Sequence, residues 1–292
     1  MAYLLAIDGG GTTCRAALAD AGGRILGRSS AGPANISTDR ERATRNIAAA
    51  ATGAVAEAGM SGQPLSRFYA YVGLAGANVV GDADAFAASL PFRKAVVNED
   101  SIIALQGALG DGDGVMAILG TGSVYIGRQG DTIRRAGGWG FMVGDLGSGA
   151  RLGRALLQDT LLAYDRILPR SELTRRVMRD FGDDPNALVN HAQHEKPGGF
   201  GHYAPLVFEY ADRGDEVALS LVGGAVAHVN AALTAVIWPT CDRLCLLGGL
   251  SALYAKRIGE RFQSIMKPPL GDAIAGAVQL GMRSFDLAEA GA

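Results

Sequence analysis

Leu4-Leu5-Ala6-Ile7-Asp8-Gly9-Gly10-Gly11-Thr12-Thr13 decides how this chain is read, because an apolar strand runs into a carboxylate, three glycines and two hydroxyls. Glycines let backbone N–H groups approach an anion closely, and threonines add hydroxyl donors. An aspartate at a strand end can hold the Mg²⁺ that accompanies a nucleotide triphosphate. Two arrangements use such a stretch. In one, the glycine turn opens a helix that receives a pyrophosphate; in the other, it joins two antiparallel strands. The residues that follow favour the second. Arg15-Ala16-Ala17-Leu18-Ala19-Asp20 carries no helical stripe, Ala21-Gly22-Gly23 reads as a tight turn, and Arg24-Ile25-Leu26-Gly27 resumes an apolar stretch. A hairpin with a purely structural role stays open at this stage.

The chain has 292 residues, enough for one large domain or, on the pattern below, two. A net charge of −2 gives no general electrostatic reason to bind nucleic acid, so small anions would be held locally. Its 42 glycines follow no fixed period and act as punctuation rather than as a repeat. Cys14, Cys241 and Cys245 are an odd, poorly spaced set for a disulfide framework; they suit buried structural thiols in a reducing compartment, the cytoplasm. Together with His191, His194, His202 and His228 they form no closed zinc pattern. Asp8 interrupts the first apolar stretch, so the N-terminus does not read as a signal peptide. Between Glu216 and Asp242 there is no charged residue, a run long enough to raise a membrane helix. Ser220, Gly223, Gly224, His228, Asn230 and Thr234 interrupt it, and a helix buried inside a soluble protein is the expectation.

Strand-like and helix-like segments alternate through the first half, which argues for an α/β architecture with a mixed sheet. Helices are expected over residues 39–58, 78–90 and 101–109, and strands over 67–74 and 94–98. The cluster Gly110-Asp111-Gly112-Asp113-Gly114 then marks a domain change. A second apolar strand, Val115 to Leu119, ends in Gly120-Thr121-Gly122-Ser123 and repeats the hairpin logic, which suggests a duplicated fold. Helices are expected over 148–166, 171–181, 203–213, 216–238 and 253–262, and a strand over 243–247.

Further segments carry possible chemistry, each beside a plainer role. Gly137-Gly138-Trp139-Gly140-Phe141-Met142-Val143-Gly144-Asp145-Leu146-Gly147-Ser148-Gly149 is either a flexible loop or a ligand loop, with Trp139 as an apolar wall and Asp145 accepting from hydroxyls. Asp100 is either a helix cap or a carboxylate placed to take a proton, with Glu99 as its neighbouring competitor. Asn35 is a turn residue or a ligand. Gly248-Gly249 connects a strand to a helix or presents backbone to a nucleoside.

The order DGGGTT at 8–13, GTGS at 120–123, GGWGFMVGDLGSG at 137–149, LLGGLS at 246–251 and DAIAGAVQLG at 272–281 resembles the glucosamine and N-acetylglucosamine kinase group of the BadF/BadG/BcrA/BcrD ATPase superfamily. The resemblance spans nearly the whole chain. It implies a duplicated actin-like (ribonuclease H-like) ATPase fold of two domains, residues 1–114 completed by a C-terminal helix at 273–292, and residues 115–272. It also implies a nucleotide and sugar cleft between them, and a homodimer. Residue by residue, Asp8 would hold Mg²⁺ through water, with Gly9, Gly10, Gly11 and Thr12 around the ATP phosphates. Thr121 and Gly122 would form the second phosphate loop, Gly248 and Gly249 the adenosine side, and Ala211 would lie near the nucleotide. Asn35, Asp100, Gly138, Trp139 and Asp145 match the sugar-binding positions, and Asp100 the general base. Two departures stand out: Leu146 replaces the Glu or Gln common after the loop aspartate, and no aromatic residue lies near Asn35, which places this neighbourhood closer to the bacterial glucosamine kinases.

The expected activity is therefore transfer of the ATP γ-phosphoryl group to the 6-hydroxyl of glucosamine, ahead of N-acetylglucosamine, with no nucleic-acid or membrane partner. The resemblance carries two rivals: an ATPase that activates a dehydratase or reductase through an iron–sulfur cluster on paired cysteines, and a noncatalytic sugar or nucleotide-binding regulator.

Overall fold

A computed structural model of the chain describes residues 2–77 and 83–287. In chain order its elements are β1 (Leu4–Gly9), β2 (Cys14–Ala19), β3 (Ile25–Ala31), α1 (Arg40–Glu57), β4 (Tyr69–Leu74), α2 (Ala83–Ser89), β5 (Lys94–Glu99) and α3 (Asp100–Leu109). Then follow β6 (Gly114–Leu119), β7 (Ser123–Gln129), β8 (Thr132–Gly137), α4 (Gly149–Tyr164), α5 (Glu172–Asp180), α6 (Pro185–His194), α7 (Pro197–Gly201) and α8 (Ala204–Asp212). The chain closes with α9 (Glu216–Val236), β9 (Leu244–Leu247), α10 (Ser251–Ala255), α11 (Glu260–Gln263) and α12 (Ala273–Ser284). The helix expected at 78–90 is described from Ala83 on, and residues 78–82 and 288–292 lie outside the described residues. Two compact units result: Met1–Gly112 with Pro269–Ala292, and Asp113–Pro268.

In the first unit the sheet order is β3-β2-β1-β4-β5, with β1, β2 and β3 antiparallel and β1, β4 and β5 parallel. Successive residues of a strand face opposite sides of the sheet. Leu5 and Ile7 of β1 accordingly pack in one cluster with Ile47 and Ala51 of α1, whereas Leu4 and Ala6 pack in another with Ile103 of α3 and Ala277 of α12. Helix α1 starts where Asp39 accepts from the Arg42 amide at 2.9 Å, a side-chain cap for an otherwise unpaired N–H.

The second unit repeats the plan with the order β8-β7-β6-β9. Where the first unit has a fifth strand, here a single parallel bridge joins Leu244 to Met266, held by Leu244 N to Ile265 O and Lys267 N to Leu244 O, both 2.9 Å. The duplicated α/β plan inferred from the two glycine hairpins is thus present in the sheets themselves. Helices dominate the rest. Asp184 caps α6 with Pro185 at its first turn, a start that periodicity alone did not reveal. The single helix expected over 253–262 is two short ones, because Gly259 adopts extended geometry between them and its amide bonds to Asn230 Oδ1 at 3.0 Å. Helix α9 is long and apolar enough to cross a membrane by length and composition, yet only 33% of its apolar window is buried. Val217, Val222, Val229 and Leu233 face the core while Leu219, Gly223 and His228 are exposed. The expectation of a buried helix therefore holds for one face only.

Candidate active site

In an open α/β sheet, ligands bind beyond the carboxyl ends of the parallel strands. In the first unit that edge is formed by Asp8 and Gly9 of β1, Leu74 of β4 and Glu99 of β5, since Asp8 pairs with Gly73, Gly9 with Leu74, and Leu74 with Glu99. The chain segment around Asn35 is tied to the same edge by Ala34 N to Gly10 O at 2.9 Å and Ile36 N to Ala75 O at 3.2 Å. Backbone pairing alone therefore sets Asp8, Asn35 and Asp100 along one rim.

The glycines of the first loop divide into two kinds. A Cβ on Gly9 would run into Leu74 Cδ2 and lie 3.1 Å from Ala34 Cβ, so packing between β1 and β4 requires this glycine. A Cβ on Gly11 would meet nothing within 4 Å, and its backbone is not left-handed. Gly11 and Thr12 are exposed, so the fold leaves a bare strip of backbone facing outward. The loop closes through Gly10 N to Thr13 O at 3.0 Å.

Asp8 is buried at 9% exposure, opposite Arg15 across the hairpin. The Arg15 guanidinium pairs with Asp8 Oδ2 through Nη2 and, at 3.1 Å, through Nε. Burial pushes the Asp8 carboxyl above its ordinary value; the Arg15 bond and charge oppose the shift, and Asp272 adds to it. Among the described residues no three His, Cys, Asp or Glu side chains gather as a metal cage. A divalent ion at Asp8 would accordingly rest on one carboxylate, water and substrate phosphates, which is how Mg²⁺ is commonly bound.

Asp100 opens α3, half-buried, and the cap position falls on Glu99, whose side chain makes no capping bond and instead accepts from Ser101 Oγ at 3.1 Å. Asn35 Oδ1 accepts from Ser37 N at 3.0 Å and Ser37 Oγ at 2.8 Å. The backbone donor identifies that atom as the oxygen, so the Asn35 NH₂ points elsewhere with two donors.

In the second unit, β6 runs into Gly120-Thr121-Gly122 and its parallel neighbour β9 into Gly248-Gly249. Leu250 N to Leu119 O at 2.9 Å, Gly149 N to Gly120 O at 2.8 Å and Ala150 N to Thr121 O at 3.1 Å bind the two turns and the start of α4 together. Gly248, at φ 90°, lies against the Leu119 backbone, whereas a Cβ on Gly249 or Gly120 would meet nothing within 4 Å. Asp145 lies beside this loop: a Cβ on Gly122 would come within 2.9 Å of its Oδ2. Its backbone is left-handed at φ 54°, its residue is 8% exposed, and burial raises its carboxyl above the ordinary value against the Gly140 and Ser123 amides and the Arg151 charge. Gly138 turns at φ 73° and donates to Ser123 O at 2.8 Å, while Trp139, Met142 and Val143 are 71%, 81% and 87% exposed. Leu146, the departure noted above, exposes its side chain and contributes through its carbonyl, which accepts from Ser123 Oγ and Tyr125 OH.

Within each unit backbone hydrogen bonds thus tie these glycine loops to their neighbouring segments. Ala211 is buried at 7% exposure in α8 as part of the helical core. Sequence reasoning missed Arg15, although a hairpin centred on Gly11 and Thr12 already places it opposite Asp8. It also missed Tyr125 and Tyr254, whose roles depend on contacts distant in sequence.

The model of the BadF/BadG/BcrA/BcrD ATPase family matches residues 5–275 of this chain. A glucosamine kinase of Vibrio cholerae is 33% identical over 279 residues, covering 95% of both chains. A solved structure from Chromobacterium violaceum, a candidate N-acetylglucosamine kinase, is 31% identical with a TM-score of 0.88 over 96% of this chain and 99% of that one. A ROK family glucokinase from Streptomyces griseus, in complex with glucose and AMPPNP, shares the fold at 18% identity and a TM-score of 0.53, over 96% and 99%.

Proposed function

Because this chain belongs to the BadF/BadG/BcrA/BcrD ATPase family, we propose that it is an ATP-dependent amino-sugar kinase, acting on the 6-hydroxyl of glucosamine ahead of N-acetylglucosamine. The observation that carries the reading is Asp145. Its carboxylate is buried in a left-handed turn beside Gly122 and suits an acceptor that brings hydroxyl or ammonium donors. The similarity to the Vibrio cholerae glucosamine kinase over 95% of both chains supports an amino sugar as that acceptor.

In this reading the protein positions and neutralises rather than forming a covalent intermediate. Backbone N–H groups at Gly11 and Thr12, and at Thr121 and Gly122, would meet the phosphates; Asp8 would hold Mg²⁺, which screens charge on the phosphoryl oxygens when bound. Gly249 offers open backbone to the nucleoside. Asp145 and the Asn35 NH₂ orient the sugar, and Asp100 takes the proton of the attacking hydroxyl, so that the bond to the γ-phosphorus forms as the bond to the ADP oxygen breaks. A cytoplasmic setting, where ATP is supplied, goes with this activity. The cluster-bearing activator is less well supported: Cys14, Cys241 and Cys245 are all buried, which fits structural thiols better than ligands of a cluster. Phosphorus and proton NMR of the product tests the assignment. A phosphate ester on the C6 oxygen of glucosamine is expected, and an ester at another carbon would refute the placement of Asp100.

A further inference from the structure

We propose that three buried hydroxyls clamp the loop that carries Asp145, with Tyr254 as the positioning residue on which the loop depends; the proposal rests on reading Asp145 as a sugar ligand. Ser123 Oγ and Tyr125 OH donate to the Leu146 carbonyl at 3.0 and 3.2 Å, and Tyr254 OH donates to the next carbonyl, Gly147, at 2.6 Å. Tyr125 and Tyr254 are 1% and 0% exposed. Buried hydroxyls are costly unless bonded, so the two phenols have a single satisfied orientation. Burial also pushes both phenols up, which keeps them protonated as donors.

The loop needs such support. Asp145 is left-handed at φ 54°, and strained backbone persists only where its surroundings over-determine it. The clamping groups come from outside the loop. Ser123 and Tyr125 belong to β7, directly after Thr121 and Gly122; Tyr254 belongs to α10, directly after Gly248 and Gly249. The elements assigned to the nucleotide therefore hold the residue assigned to the sugar. The clamp is also asymmetric. Leu146 O has two donors, so losing Tyr125 leaves Ser123 in place, whereas among the described residues Gly147 O has Tyr254 alone. Phenylalanine removes the hydroxyl and keeps the ring.

The test compares Tyr254→Phe and Tyr125→Phe with the wild type in steady-state kinetics and in hydrogen–deuterium exchange of the peptide spanning residues 137–149. For Tyr254→Phe, sugar KM should rise about tenfold while ATP KM stays within about twofold, with loop exchange about tenfold faster. Tyr125→Phe should show the same pattern at about threefold. Should Tyr254→Phe not fold, Tyr125→Phe decides alone: a raised sugar KM with faster loop exchange supports the clamp, and wild-type values overturn it. If the wild type phosphorylates no sugar, the reading of Asp145 fails separately, and the clamp is judged by exchange: faster loop exchange in Tyr254→Phe supports it and unchanged exchange overturns it. With an active wild type, an unchanged sugar KM in Tyr254→Phe overturns the proposal even if exchange quickens.

Discussion

A single methyl group separates ligand-facing from packing glycines in the first loop. In Gly11→Ala the added Cβ meets no protein atom within 4 Å and needs no left-handed backbone. The substitution should raise stability by about 0.4–1 kcal/mol, because it restricts the unfolded chain. If that backbone cradles phosphate, the same methyl stands where the anion must approach. Losing one hydrogen bond to a charged group costs about 1.5–3 kcal/mol, or roughly ten- to a hundredfold in Kd for an ATP analogue. Gly9→Ala should do the reverse. Its Cβ collides with Leu74 and Ala34, an overpacking worth about 1–3 kcal/mol, which in a chain of this size lowers the thermal midpoint by roughly 2–5 °C. Differential scanning calorimetry and titration calorimetry with a nonhydrolysable ATP analogue measure both quantities. A Gly11→Ala protein that binds the analogue like wild type would refute the phosphate-loop assignment, however stable it proved.

Three further outcomes follow from the site. Asp100→Asn should lower kcat by about 10² to 10⁴ with ATP affinity retained, and near-normal turnover would remove Asp100 as the base. Asp145→Asn keeps a residue type that tolerates φ 54°, so the fold should persist while sugar KM rises about five- to fiftyfold; an unchanged KM for every sugar would contradict its role. In Arg15→Met the partner that holds the Asp8 carboxyl down is lost while burial still raises it. Metal loading needs the ionised carboxylate, so the acidic limb of the Mg²⁺-dependent rate should move to higher pH. A limb that stays in place or moves to lower pH would show that Asp8 does not govern metal loading.

The parts of the molecule that local chemistry specifies were legible in the sequence. An apolar run, a carboxylate, glycines and a tight turn described the β1–β2 hairpin, and its echo at Gly120 to Ser123 described the duplication. A helix was legible over 39–58, and Asp39 is the cap of the α1 found there. What escaped depends on pairing across space. The fifth strand of the second unit shrinks to the Leu244–Met266 bridge, which no periodicity records. Tyr254 and Gly147 are 107 residues apart, so their bond has no local signature. Helix α9 carries no Asp, Glu, Lys or Arg between its ends, so only the helical spacing of Ser220, Gly223, Gly224, His228 and Thr234, and not charge, marked its exposed face. Leu146 read as a lost polar contact, because a side-chain letter does not reveal that the loop is anchored through the carbonyl at that position.

The central claim is that phosphoryl transfer requires an amino sugar. ADP release measured with glucosamine, N-acetylglucosamine, glucose and no sugar tests it most directly. Release should depend on sugar and be fastest with glucosamine. An equal rate without any sugar would contradict the account and favour an ATPase that acts on another partner.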